Sequence, residues 1–443
     1  MTKSHPKHKN LPPVTATITG LSHEGRAITS VNGKITFLFG GLPGETVKFV
    51  YLKKHGQYDE GQVVEVLQSS PDRIPPVCAH FGDCGGCRLQ HFAHHGQLAA
   101  KQQLFLDQLA HIGGTKPHRV LPALTSPTTG YRYKARLGVK FVRAKNKVLV
   151  GFHEINGRYL VDMQSCAVLH PAVGQKITHL SALVQSLDAQ QTIAQIEVAI
   201  SDEVVALIFR HLQPLSSGDL YKLTQFARQE SLTIYLQPGG INTIHRLWPE
   251  GGSDLLSYRL PAYNVEILFH PSDFTQVNPE INRQMVSQAL TLLNPQPHER
   301  ILDLFCGLGN FTLPLARHCQ SVTGIEGALS LVERARHNAS HNQITNAQFF
   351  ASDLTQDLIE TQWGQASYDK ILLDPPRTGA LELVKKLPML QPRAILYVSC
   401  NPATLARDSK ELLQQGYQLT IAGIMDMFPH TSHVESMALF EKM

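Results

Sequence analysis

The chain has 443 residues, of which 42% are hydrophobic and 17% charged, with seven cysteines and a formal net charge of +4. This is the composition of a globular protein with room for several buried cores, and it excludes disordered, fibrous and disulfide-scaffold classes. No run approaches 18 apolar residues, which excludes a helical membrane span, and the N-terminus lacks an apolar signal core, so a cytoplasmic protein is expected. Residues 1–170 carry 21 Lys and Arg against 10 Asp and Glu, or +11, while residues 171–443 carry 19 against 26, or −7. Such asymmetry points to a nucleic-acid partner for the basic portion.

Residues 1–12 read as a disordered basic tail. Between 13 and 70, short β-branched segments alternate with glycines, the pattern of a small barrel of the OB type. The PDRIPP stretch at 71–76 breaks any regular element and reads as a linker. Cys78, Cys84 and Cys87 then fall within ten residues, and in a cytosolic chain such a cluster suggests a metal or redox site. A helical segment at 96–112 ends at Gly113-Gly114. The strand pattern after it carries seven Lys and Arg and no acid between 131 and 147; Arg132, Lys134 and Arg136 share one face at period two, suiting an RNA-phosphate surface. Mixed strands with one helix near 216–229 fill out a central domain over 71–272.

From 273 to 443 helices alternate with short apolar strands, RILDLF, SVTGIE, AQFFAS, DKILLD and AILYVS, as in a parallel, doubly wound, Rossmann-like sheet. RILDLF runs into Cys306-Gly307-Leu308-Gly309-Asn310, a strand-to-helix turn where backbone can approach a ligand closely. The next two strands end at Glu326 and near Asp353, acids suited to ribose hydroxyls and to an adenine amine. The pattern D-x-F-x-G-x-G, with no third dinucleotide glycine, looks like an S-adenosylmethionine methyltransferase. Two further strand ends carry Asp374-Pro375-Pro376-Arg377 and Cys400-Asn401-Pro402. A cysteine there, just before a helix, is expected to have a lowered pKa and to serve as a nucleophile.

D-P-P-R-x-G, S-C-N-P, the terminal D-M-F-P-H-T-S-H-V-E and Phe274-Thr275-Gln276-Val277-Asn278 together resemble the RNA uracil-5-methyltransferase family over essentially the whole chain. Uracil C5 is too weak a nucleophile to take a methyl group unaided; a thiolate added at C6 activates it, and a base must then remove the C5 proton. The resemblance implies Cys400 as that nucleophile and Glu435 as the base, 35 residues apart in sequence. It implies a cofactor site of Gln276, Phe305, Asn310, Glu326, Asp353 and Asp374, and a Phe274 near the target base. It reads the barrel as a TRAM domain, packs helix 96–112 with the catalytic domain, and implies a [4Fe–4S] cluster on Cys78, Cys84, Cys87 and Cys166. Spacing alone leaves a four-thiolate zinc site as an even rival. The implied partner is 23S ribosomal RNA, the tRNA enzymes of the family being expected to lack barrel and cluster, and the implied state is a monomer. The alternatives are the same chemistry on tRNA and a non-catalytic iron–sulfur RNA-binding protein. DPPR carries no second cysteine, as cytosine-5 enzymes would, and no stacking aromatic, as amino-group methyltransferases would.

Overall fold

The computed structural model describes residues 12–155, 157–354 and 361–442; the expected tail at 1–12 lies, but for residue 12, outside them. The chain forms two compact units. One holds the described residues of 1–104, 153–157 and 428–433, and the other those of 105–152, 158–427 and 434–443.

The first unit begins with strands β1 (Val14–Thr17), β2 (Gly20–Leu21), β3 (Ala27–Val31), β4 (Lys34–Phe39), β5 (Thr46–Lys54) and β6 (Tyr58–Gln68). Their order is β1-β5-β6-β4-β3-β2. β1 and β2 are one bent stretch of chain, bonded to β5 by its first half and to β3 by its second, so the sheet closes on itself. Ile18, Ala27, Leu38, Val47 and Phe49 fill the interior. Gly61 of β6 is required there: a Cβ would stand 2.7 Å from the Phe49 ring and 2.8 Å from Leu38. The fully buried Glu45 accepts hydrogen bonds from the amides of Leu42 (2.8 Å) and Ser70 (3.2 Å) and from Arg73 Nε (2.6 Å), and these hold its carboxyl below its ordinary pKa although burial opposes them. The cysteine-bearing loop follows and then the first turns of helix α1 (His94–His111). In the same unit the backbone of His430, at φ 66°, donates to Gln97 Oε1 (2.9 Å), and its carbonyl accepts from the amides of Arg88 and Leu89 (2.9 Å each).

Among the described residues the second unit has two large sheets and a two-stranded one. The smaller of the large sheets is formed by β8 (Lys134–Val142), β9 (Lys147–Gly151), β10 (Ile193–Ile200), β11 (Val205–His211), β12 (Thr233–Gln237) and β13 (His245–Trp248), in the order β13-β12-β11-β10-β8-β9. Helices α2 (Pro171–Gly174), α3 (Ile177–Ser186) and α4 (Ser217–Glu230) accompany it, and a hairpin, β14 (Leu256–Leu260) with β15 (Val265–Phe269), leads onward. α5 (Pro279–Leu293) then opens the larger sheet: β16 (Arg300–Leu304), α6 (Thr312–Ala316), β17 (Ser321–Glu326), α7 (Leu329–His341), β18 (Ala347–Ala351), β19 (Lys370–Leu373), α8 (Leu381–Val384), β20 (Ala394–Ser399), α9 (Pro402–Gln414), β21 (Tyr417–Met425) and β22 (Glu435–Lys442). Its strand order is β18-β17-β16-β19-β20-β22-β21, and β7 (Arg119–Val120) is added at the edge. β18 to β20 are parallel, and β22 runs antiparallel between β20 and β21. β19 and β20 are buried along their whole length, which is why they read as unbroken apolar runs.

Residues 119–120 join the larger sheet as its edge strand, and Gly113 at the end of α1 lies so close to α9 that a Cβ would meet the Ala406 carbonyl at 2.9 Å, so both belong to the second unit.

At the amino ends of the central strands Glu299, fully buried, pairs with Lys370 at 2.9 Å, contacts Arg393 and accepts the Gln296 amide at 2.8 Å. Glu299→Ala leaves the buried Lys370 ammonium without its counter-charge and is expected to lower the unfolding free energy by about 3 kcal/mol. Urea denaturation measures this, and ligand binding at the opposite end of the strands should persist at low temperature.

Candidate active site

The parallel strands β16 to β20 deliver their carboxyl ends to one crevice, where open α/β sheets bind ligands. The turn after β16 is built from three left-handed residues, Phe305 (φ 64°), Gly307 (φ 52°) and Gly309 (φ 91°). For Phe305 this conformation is costly, and such strain concentrates at sites. Glu326, at the end of β17, accepts the amides of Gly307 and Ala328 at 3.1 Å each, so its carboxylate is fixed against the turn. Asp303 is fully buried, accepts the Thr312 hydroxyl at 2.5 Å, and is pushed up by burial to about 7.

Asn310 sits in a network that the sequence did not suggest. Its Oδ1 accepts Tyr258 Oη–H at 2.9 Å and Asn282 Nδ2–H at 3.1 Å, and its Nδ2 donates back to Asn282 Oδ1 at 2.9 Å. Tyr258 lies 52 residues away on a strand of the hairpin; no local pattern signals such a partner. Gln276 and Thr275 line a small cavity with Tyr258 and Asn282. Buried Asn338 of α7 ties the turn to the hairpin, donating to the carbonyls of Leu308 and Leu268 at 3.1 Å each. Asp353 is exposed just beyond β18, and Asp374 is half-buried at the end of β19.

Strand register brings Cys400 and Glu435 together. β20 and β22 are antiparallel with Ser399 opposite Ser436, so the next residues along, Cys400 and Glu435, face each other with Cα atoms ~5 Å apart. Burial pushes the Cys400 thiol up to about 11, with the Glu435 and Asp374 carboxylates adding to the rise and Arg377 opposing it. This corrects the expectation of a lowered pKa: removal from water and two facing carboxylates outweigh the dipole of α9. Glu435 is itself raised to about 8 by burial, and Asp374 to about 7 by the same cause. The Arg377 carbonyl accepts from Asn401 Nδ2 at 3.0 Å, and buried Asp408 accepts the Ala380 amide and the Tyr397 hydroxyl at 2.8 Å each, which locks the D-P-P-R loop to α9.

Three comparisons bear on this geometry. Residues 95–443 match the family model described as tRNA (Uracil-5-)-methyltransferase. The chain belongs to this uracil-C5 RNA methyltransferase family. It is 50% identical over 439 residues to an Alcanivorax borkumensis protein named 23S rRNA (uracil(1939)-C(5))-methyltransferase RlmD, covering 99% of each chain. It is equally 50% identical over 442 residues to the protein of that name from Hahella chejuensis, covering 98% of this chain and 99% of that one. The solved Pyrococcus abyssi tRNA (uracil-54, C5)-methyltransferase in complex with S-adenosyl-L-homocysteine is similar in fold, with a TM-score of 0.72 at 24% identity, covering 96% of this chain and all of that one. That coverage corrects one expectation: a tRNA enzyme of the family spans nearly the whole chain, so overall architecture does not separate rRNA from tRNA enzymes. The shared family fold agrees with the Rossmann-like layout of the larger sheet.

The remaining expected residues are dispersed. Phe274 is 71% exposed on the loop before α5. Arg136 is exposed and pairs with Glu197 at 3.2 Å, and Arg132 Nε donates to the Lys134 carbonyl at 3.0 Å. Lys134 does not present its ammonium to solvent beside them; it donates to the carbonyls of Pro271 (3.2 Å) and Asp273. In the first unit Cys84 and Cys87 are buried and Cys78 half-buried; in the second Cys166 is buried. The Gly86 amide donates to Cys84 Sγ at 3.4 Å, which suits a thiolate. Among the described residues, no group of three or more His, Cys, Asp or Glu side chains is arranged to hold a metal ion. No described helix is long and apolar enough to cross a membrane.

Iodoacetamide labelling of Cys400, followed by peptide mass spectrometry, tests the electrostatics. In unliganded protein the rate should rise about tenfold per pH unit toward pH 11, because only the thiolate reacts. Glu435→Gln removes a repelling negative charge, so the midpoint should move to lower pH; an unmoved midpoint refutes the coupling.

Proposed function

We propose that this protein methylates C5 of a uridine in 23S ribosomal RNA, using S-adenosylmethionine as the methyl donor. The observation that carries the reading is the facing pair Cys400 and Glu435 at the crevice of a uracil-C5 methyltransferase fold. The choice of 23S rRNA over tRNA is supported by full-length 50% identity to proteins named for that substrate.

Gln276, Phe305, Asn310, Glu326, Asp353 and Asp374 would hold the cofactor. The fit is good at the first turn: Glu326 has carboxylate lone pairs left for ribose hydroxyls, and Asn310, its oxygen already taken twice, offers its second amide hydrogen. When bound, the cofactor supplies an electrophilic methyl group. The target base leaves its stack to reach the crevice, with Phe274 as a stacking neighbour. With the Cys400 and Glu435 protons released to solvent, the Cys400 sulfur adds to C6, and the electron pair this places on C5 takes the methyl group as the donor's sulfur–methyl bond breaks and S-adenosylhomocysteine is left. Glu435 then takes the C5 proton, the C5–C6 double bond re-forms, and the thiolate leaves. A carboxyl raised to about 8 is a stronger base than an ordinary one, which suits that proton.

Around this core, the closed N-terminal barrel is read as a TRAM domain, and Arg132 and Arg136 as part of an RNA-tracking surface. Cys78, Cys84, Cys87 and Cys166 are proposed to carry a [4Fe–4S] cluster in a structural role; the C-x5-C-G-G-C spacing supports it, and no catalytic step runs through it.

Incubation with 5-fluorouridine-substituted rRNA fragments and methyl donor should give a denaturant-stable protein–RNA adduct, since fluorine does not leave as a proton. Cys400→Ala should abolish it, and Glu435→Gln should accumulate an adduct on natural RNA; an adduct surviving Cys400→Ala refutes the nucleophile. Anaerobic purification should yield about four iron and four acid-labile sulfide per chain, and stoichiometric zinc without sulfide overturns the cluster.

A further inference from the structure

Lys134 opens β8 on the same face as Arg136 and Lys140, both exposed, yet it is spent inside the protein. Its ammonium donates to the carbonyls of Pro271 (3.2 Å) and Asp273. The preceding residue, Tyr133, donates its amide to the Val277 carbonyl at 2.8 Å. Residues 271–277 are therefore fastened at both ends to the start of one strand, and the exposed Phe274 and the cavity-lining Gln276 lie between the fastenings. A second clamp acts from the other side: Asp273 accepts the His270 amide at 2.7 Å and pairs with Arg334 of α7 at 2.8 Å.

We propose that Lys134 is a positioning residue for the Phe274–Gln276 loop and makes no contact with RNA phosphate. Charge and geometry agree on this role. Burial lowers the ammonium to about 8, while Asp273 and Glu197 face it and counter that fall, so it remains protonated at neutral pH. A charged donor to two carbonyls is a stronger tie than a neutral one. The inference rests on the proposed assignment of Gln276 to the cofactor and Phe274 to the target base.

The test uses the full-length holoprotein and three variants: Lys134→Met, Lys134→Arg and Arg136→Gln. S-adenosylhomocysteine affinity is measured by calorimetry without RNA, binding of a 23S rRNA fragment across a salt series, and amide exchange over residues 271–277 by mass spectrometry. Lys134→Met should weaken S-adenosylhomocysteine about tenfold and speed loop exchange about tenfold, with the slope of log K against log salt unchanged, because no phosphate contact is lost. Lys134→Arg, which keeps charge and donors, should stay within about threefold of the parent. Arg136→Gln should show the reverse pattern, with a reduced salt slope and unchanged ligand affinity. Unchanged exchange and ligand affinity in Lys134→Met, with a slope reduced by about one, overturns the proposal and makes Lys134 a phosphate contact. Should Lys134→Met not fold, Lys134→Gln carries the same comparison. Gln276→Ala separates the two layers: if it leaves S-adenosylhomocysteine affinity unchanged, the cofactor assignment of Gln276 fails, and the exchange data still decide whether Lys134 holds the loop.

Discussion

The register of one antiparallel pair governs this molecule. Ser399 opposite Ser436 brings Cys400 and Glu435 together at the rim of the sheet. Every neighbouring feature serves to hold or tune that pair. β21 flanks Glu435 on its other side through Met425, and α9, capped by Asn401, starts directly after Cys400. A slip of one residue would turn Glu435 to the opposite face, because side chains alternate along a strand.

The same proximity creates an electrostatic problem and uses it. Two carboxyls and a thiol share a half-buried space, so none ionises at its ordinary pH: Asp374 sits near 7, Glu435 near 8 and Cys400 near 11. The guanidinium of Arg377 lowers both Glu435 and Cys400 and is the counterweight within the crevice. Cys400 thus rests as a protonated thiol, and ionised Glu435 is a stronger base than an ordinary carboxylate. The first-turn carboxylate Glu326, by contrast, is held by backbone amides.

Much of this was legible in the sequence where the signal is local. Apolar runs located β16, β17, β19 and β20 nearly to the residue, and the strand-end motifs located Asp374, Arg377 and Cys400, because parallel buried strands leave long uniform signatures. What was not legible depends on partners distant in sequence. Tyr258 and Asn282 meeting Asn310, Asn338 bridging two loops, and Lys134 turned toward residues 271–273 have no periodicity to betray them. Period two put Arg132, Lys134 and Arg136 on one strand face, but β8 begins only at Lys134, and the covering loop turns Lys134 away from solvent. The Cys400 pKa was misjudged for the same reason: the helix start is local, and the opposing carboxylates are not.

The segment 428–433 has a consequence for how the protein is made. It belongs to the compact unit of the N-terminal barrel, although more than three hundred residues separate it from that barrel. The Arg88 and Leu89 amides and the fully buried Gln97 side chain find their partner in His430, which is synthesised more than three hundred residues after them. The barrel unit is therefore completed only when a segment far downstream has been made. A nascent chain released early would expose unsatisfied amides beside its cysteine loop, and an excised barrel-and-cysteine fragment would carry the same defect permanently.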